Sequence, residues 1–151
     1  MVKADELKKQ ILLEDLSSAD LENIAKIVKI LTFKKGEHLF KEKDETKGLY
    51  LIHSGKVEIS KTTPDGWKQT LAVLHGEHFL GELSIIEKRL HEATAIALEN
   101  TGVYLITKND FEKMEKQDTA LTSKIMKKLV LVLSKNIRRM NEKFIKSLIS
   151  Y

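Results

Sequence analysis

Gly76-Glu77-His78-Phe79-Leu80-Gly81-Glu82-Leu83-Ser84-Ile85-Ile86-Glu87-Lys88-Arg89-Leu90-His91-Glu92-Ala93-Thr94-Ala95 is the stretch on which the reading of this 151-residue chain turns. It leaves the strand-like run Leu71-Ala72-Val73-Leu74 through a turn signal at Gly76. It ends inside a second strand-like run, Ala93-Thr94-Ala95-Ile96-Ala97-Leu98. Between them, Gly81 marks a point where the backbone can come close to a neighbour, because no Cβ stands in the way.

Working outward, the texture is β from about Lys34 to Ile106. Leu49-Tyr50-Leu51-Ile52, Val57-Glu58-Ile59 and Val103-Tyr104-Leu105-Ile106 are further short strands. Ser54-Gly55, Thr63-Pro64-Asp65-Gly66, Asn100 and Gly102 supply the turns between them. Many short strands with frequent turns point to a sandwich, barrel or jelly roll. The single proline, Pro64, lies in a turn and interrupts no element. Trp67, beside that turn, reads as hairpin packing or exposed surface.

Helices flank this β region. Ser17 before Leu21, Ile24, Ala25 and Val28 gives a helix start, with Asp20 three residues on in a near capping-box pattern. Residues 3–13 form another short helix before it, and residues 108–114 a third. Residues 119–149 form one long helix, on which Leu121, Ile125, Leu129, Leu133, Ile137, Met140, Phe144 and Leu148 share a stripe. At 1.5 Å per residue it is roughly 45 Å long. That exceeds the diameter of a domain this size, so part of it projects beyond the β body. Leu129-Val130-Leu131-Val132-Leu133 is apolar all round, which calls for cover on every side. The β body covers one side, and a second copy in a symmetric dimer through residues 121–148 covers the other. The fold class is thus mixed and mainly β: a sandwich, barrel or jelly-roll body with N-terminal helices in residues 1–118, joined to a long C-terminal dimerisation helix in residues 119–151.

Composition limits the chemistry. The chain has no cysteine, which excludes disulfides, zinc–thiolate sites, iron–sulfur clusters and cysteine nucleophiles. Apolar residues make up 42%, too many for a disordered chain, yet no apolar run reaches the length of a membrane span. No signal-peptide pattern opens the chain, so a cytoplasmic location is expected. The formal charge is +4 and unevenly placed. Residues 119–151 hold eight basic residues against one acid, Glu142, for +7. The remainder holds eighteen basic and twenty-one acidic residues, for −3. No Walker loop, G-x-S-x-G elbow or HExxH motif is present, and no pair of residues stands out as a catalytic dyad, so no enzyme activity is expected.

The opening stretch resembles the phosphate-binding cassette of cyclic nucleotide-binding domains, the family of the catabolite activator protein and of the regulatory subunits of cyclic AMP-dependent kinase. In that family the pattern is roughly F-G-E-L, a helical turn, then P-R-[SA]-A-T before a strand. Here it stands as Leu80-Gly81-Glu82-Leu83, then Leu90-His91-Glu92-Ala93-Thr94. Lys35-Gly36-Glu37 and the hairpin Leu49-Tyr50-Leu51-Ile52-His53-Ser54-Gly55-Lys56-Val57 match further landmarks, so the resemblance covers about residues 15–140. It implies a double-stranded β-helix (jelly-roll) for the β body, and a regulatory, non-enzymatic sensor with no resident cofactor, whose ligand is a cyclic nucleotide such as cAMP or cGMP. Backbone N–H groups at the start of a short helix would face the phosphate. Glu82 matches the glutamate that accepts the ribose 2′-hydroxyl. Thr122, Ser123 and Met126, at the start of the long helix, are the candidates for touching the base.

The resemblance breaks at one position that matters. His91 stands where the family has an arginine that forks onto the phosphate, Leu90 replaces the preceding proline, and Glu92 replaces a small residue. An ordinary histidine is mostly neutral at pH 7 and offers no fork. The candidate ligand-binding residues are Gly81, Glu82, Leu83, Ser84, Arg89, His91, Glu92 and Ala93, with Arg89 or His91 meeting the phosphate. Two readings stay open: a ligand sensor, in which binding shifts the long helix against the β-roll, and a degenerate module that serves dimerisation or docking of a protein partner. A third, from another class, is a cupin-like metal site built on His75, His78 and Glu82. Transcription factors of this family follow the long helix with a helix-turn-helix domain. Here the chain stops at Tyr151 with no recognition helix, so no sequence-specific DNA binding is expected.

Overall fold

The structure is a computed structural model that describes residues 2–149. Its helical entry is α1 (Ala4–Leu7), a 3-10 turn (Ile11–Leu13) and α2 (Ser18–Ala25). The expected single helix over residues 3–13 is therefore two short pieces, separated at Gln10, whose backbone is extended. The reason is a tertiary bond: the Gln10 amide is buried and donates to the Ile52 carbonyl at 2.9 Å. The Ser17 cap is in place, its hydroxyl accepting from the Asp20 N–H at 3.2 Å.

Eight strands follow: β1 (Lys29–Phe33), β2 (His38–Phe40), β3 (Gly48–Ser54), β4 (Lys56–Thr62), β5 (Lys68–His75), β6 (Phe79–Leu80), β7 (Thr94–Ala97) and β8 (Thr101–Thr107). They form two antiparallel sheets, ordered β1-β8-β3-β6 and β2-β7-β4-β5, which face one another as a jelly roll. The β region begins at Lys29, earlier than the Lys34 expected. The alternation in β1 is weak because the strand lies at a sheet edge and stays largely exposed. A short helix, α3 (Glu82–Glu87), is inserted between β6 and β7, and α4 (Lys108–Gln117) and α5 (Thr119–Ile149) complete the chain.

The core has two parts, and the first sheet separates them. Tyr50 and Ile52 of β3, with Val103 and Leu105 of β8, point between the sheets toward Leu39, Val57, Leu80, Ala95 and Ala97. Leu49, Leu51, Tyr104 and Ile106 point the other way, onto Leu7, Leu12, Leu13, Leu21, Ile24, Phe111, Met114, Leu121, Ile125 and Leu129. Both faces of this sheet are covered, which is why its central strands read as unbroken apolar runs and not as alternation.

Only the first turns of α5 join this core. Leu121, Ile125 and Leu129 are buried, whereas Ile137, Met140, Phe144 and Leu148 on the same stripe are exposed. Lys124 reaches Asp20 at 2.9 Å, and Lys128 reaches Glu14 at 2.6 Å and Asp15 at 2.9 Å, tying the helix to the N-terminal block. The β body covers Leu129 but leaves Val130 and Leu131 open, so the apolar girdle is covered on one side by its own chain. No helix among the described residues is long and apolar enough to cross a membrane.

Candidate functional site

β6 pairs with β3 and delivers the chain to Gly81, which sits at φ +87 and opens α3. A side chain does not fit there: a Cβ would lie 2.9 Å from the Gly48 carbonyl oxygen and 3.4 Å from Tyr50 Cδ1. Six residues later α3 stops at Lys88, itself left-handed at φ 56, and the Arg89 N–H closes the end on the Ser84 carbonyl at 3.1 Å. The chain then runs to His91, whose N–H donates to the Asp44 carbonyl at 3.0 Å and whose carbonyl accepts from the Lys43 N–H at 2.7 Å. These two bonds fasten the far end of the cassette to the loop after β2.

The fastened segment closes over a cavity of about 280 Å³. All eight candidate residues line it: Gly81, Glu82, Leu83, Ser84, Arg89, His91, Glu92 and Ala93. Phe40, Ile59, Ala72, Leu74, Phe79 and Leu80 supply an apolar floor from the strands, and His78 reaches it from the β5–β6 turn. The helix contribution differs from the one expected. Val132, Leu133 and Asn136 of α5 reach the cavity, not Thr122, Ser123 and Met126. Thr122 is buried with its hydroxyl on the Asp118 carbonyl at 3.0 Å, and Met126 packs on the helical core. The first turns of α5 are spent on packing against the N-terminal helices, so the helix meets the cavity three turns later. Sequence reading missed Val132 and Leu133 because apolar residues in a buried-looking girdle carry no polar signal, and Asn136 because it is one polar residue among many on the helix.

His91 is the most constrained side chain of the site. It is 3% exposed. Its ring stacks on Phe40 with centroids 3.6 Å apart and planes 7° from parallel. Its Nδ1 lies 3.0 Å from the buried Ser84 Oγ, while its Nε2 is buried and has no hydrogen-bond partner. Burial pushes its pKa below the ordinary histidine value, and the nearby Asp44 carboxylate opposes that shift. Glu82 moves the other way: burial raises its carboxyl above the usual carboxylate range, against a hydrogen bond from its own backbone N–H.

Arg89 is engaged elsewhere. Its guanidinium bridges Glu87 at 3.1 Å and Glu92 at 2.8 Å at the exposed rim. Glu92 points outward into that pair and so does not stand as a bare charge in the cavity. Among the described residues Arg89 is the only lysine or arginine lining the cavity, and both arms of its fork are occupied. His75, His78 and Glu82 do not converge on a metal: no His, Asp and Glu cluster of three with that capacity occurs among the described residues.

Comparison with known proteins fits this geometry. The anaerobic regulatory protein of Bacillus subtilis is 38% identical over 115 residues, covering 75% of this chain and 48% of the relative. The cyclic AMP receptor protein of Thermus thermophilus is 32% identical over 79 residues, covering 52% of this chain and 37% of the relative. The chain thus spans about half, or less, of the length of these curated relatives. A cyclic nucleotide-binding domain from Methylobacillus flagellatus superposes with a TM-score of 0.85 at 18% identity, covering 98% of this chain and 87% of that one, a likeness of fold. The family model for the cyclic nucleotide-binding domain matches residues 30–118, which span every strand but the first residue of β1, the whole cassette and α4. On that match the chain belongs to the cyclic nucleotide-binding domain family.

Proposed function

We propose that this chain is a ligand-sensing regulatory domain without enzymatic activity, which takes a cyclic nucleotide such as cAMP or cGMP in the cassette cavity and passes occupancy to α5. The observation that carries this reading is the shared wall: Val132, Leu133 and Asn136 of α5 face the same cavity as Gly81, Glu82 and Ser84. A ligand that touches both must bind two positions of the helix unequally, and that difference is what shifts a population. The signal leaves through a homodimer formed by residues 121–148, acting in the cytoplasm, either directly or through a docked protein partner. Reading of DNA sequence is no part of the activity proposed for these residues.

Calorimetric titration with cyclic AMP, cyclic GMP and cyclic dinucleotides tests the reading. Saturable heat with a matching rise in Tm supports it. Silence in both at millimolar ligand overturns it for these ligands. A second reading has one observation in its favour: Arg89 is held by two carboxylates, so no arginine stands ready for a phosphate. It makes the fold a degenerate scaffold whose output is dimerisation or partner docking alone, and a silent titration with an intact dimer is its signature.

A further inference from the structure

Two buried side-chain atoms among the described residues lack a hydrogen-bond partner, Oε1 of Gln10 and Nε2 of His91. Gln10 lies away from the cavity, against Ile52 under the N-terminal helices. His91 lines it. The imidazole is fixed by the Phe40 stack, by Ser84 on Nδ1, and by the main-chain bonds to Asp44 and Lys43. Only Nε2 is left over. A buried polar atom without a partner costs free energy that a ligand atom placed against it removes.

We infer that His91 reads the charge of the ligand, and that an anionic ligand enters the cavity together with one proton. This rests on the ligand-sensing reading above. In the empty cavity His91 is neutral: Ser84 and Nδ1 share one hydrogen, and Nε2 is donor or acceptor according to the tautomer. When solvent supplies a proton to the unprotonated ring nitrogen, both nitrogens carry hydrogen. Ser84 Oγ then accepts from Nδ1, and Nε2 presents a charged N–H to the anion. No other bond forms or breaks. Burial disfavours that cation until a negative charge arrives, so the anion and the proton stabilise one another. Affinity for a monoanion therefore rises as pH falls, by up to about tenfold per pH unit, and levels off once the empty site is itself protonated.

The charged groups around the site are Asp44 from the loop after β2, Glu82, Glu87, Arg89 and Glu92 from the cassette and His78 from the β5–β6 turn, and on the far side of His91 a second hollow lined by Glu42, Lys43, Glu45, Lys61, Lys88 and Lys108. Arg89 pairs with both Glu87 and Glu92 at the rim, which leaves one net negative charge there. Glu82, whose carboxyl is raised by burial, lines the same cavity, so the test must separate it from His91.

Titration of the full chain and of its His91 variants with cyclic AMP at about pH 6 and about pH 8, in two buffers of different ionisation enthalpy, makes that separation. The expected result is binding at least tenfold tighter at the lower pH, with uptake of about one proton per ligand. Adenosine, which lacks the charge, shows no such slope. His91→Arg carries a permanent cation and binds with an affinity that no longer depends on pH; His91→Gln loses both the slope and most of the affinity. Equal wild-type affinity at both pH values without proton uptake overturns the inference and leaves the sensor reading standing. A slope that survives in His91→Gln overturns it too, since a group other than His91 then carries it. Absence of binding by both the wild type and His91→Arg at either pH strikes the sensor reading itself. The buffer comparison on the wild type needs no variant, so an absence of proton uptake overturns the inference even where a substitution fails to fold.

Discussion

Gly81 and His91 hold the cassette from its two ends. Gly81 lets the chain turn at φ +87 against the Gly48 carbonyl, and His91 locks the return against Phe40 and Ser84. Gly81→Ala combines a left-handed backbone with a Cβ 2.9 Å from a carbonyl oxygen. It should cost about 2 kcal/mol or more, seen as a lowered urea midpoint with unchanged m. A cost below about 0.5 kcal/mol would mean that the turn relaxes freely. His91 makes a pH prediction for the free protein. Its folded-state pKa lies below the ordinary 6.5, so the unfolded chain binds the proton more readily. Stability contributed by the neutral ring is then full above about 6.5 and is lost as pH falls from there toward the folded value. Urea midpoints should drop between about pH 7 and about pH 5, and His91→Gln should flatten that part of the curve. The place of His91 in the cassette was readable from its spacing to Gly81. Its stack on Phe40 was not, because Phe40 lies fifty-one positions away on β2 and comes beside His91 only through the pairing of β2 with β7.

At the scale of elements, α5 is anchored by two kinds of contact of unequal weight. Leu121, Ile125 and Leu129 are almost fully buried among the N-terminal helices and α4. Lys124 and Lys128 add ion pairs with Asp20, Glu14 and Asp15, carboxylates that keep part of their solvent exposure. Ile125→Ala should cost about 3 kcal/mol, from lost burial and the cavity left behind. Lys128→Met should cost less than about 1 kcal/mol, and that difference should shrink in high salt. Chemical unfolding of the two variants checks the ranking, and a larger loss for Lys128→Met would reverse it. The extent of α5 was legible because a stripe of apolar residues at helical spacing runs unbroken to Leu148, with no proline or glycine in the way. β1, β2 and β6 were hard to read for the opposite reason. They are short, and β1 and β6 lie at sheet edges, so neither length nor alternation marks them. The cavity wall from α5 was invisible at this scale, since it depends on how far the helix travels before it clears the helical block.

For the whole molecule the open question is what covers the outer part of α5. Met126, Val130, Leu133, Ile137, Met140 and Phe144 alternate four and three apart, the 3.5-residue repeat of a two-stranded coiled coil. Val130, Ile137, Met140 and Phe144 are more than half exposed in the single chain. The charge of this helix fits the pairing. Beside the seam stand Lys127, Leu129, Ser134, Asn136, Asn141, Lys143 and Leu148, whereas Lys135, Arg138, Arg139 and Lys146 fall on the outer face. In a parallel pair Asn136 meets Asn141 and Lys143 meets Leu148 of the second copy, so no two cations confront one another across the seam. The strongly basic character of residues 119–151 therefore does not oppose association, and its residual repulsion is screened at physiological salt. Light scattering at tens of micromolar should give twice the chain mass. Phe144→Glu, which touches neither core cluster, should weaken the dimer by on the order of a hundredfold or more. Its circular dichroism and the melting of the β-roll should stay as in the wild type, because Phe144 contributes nothing to that core. A monomer mass for the wild type, or an unshifted dimer in Phe144→Glu, would move the interface away from this helix. The seam would then need another cover, and the dimer could no longer be the route by which the cavity is heard.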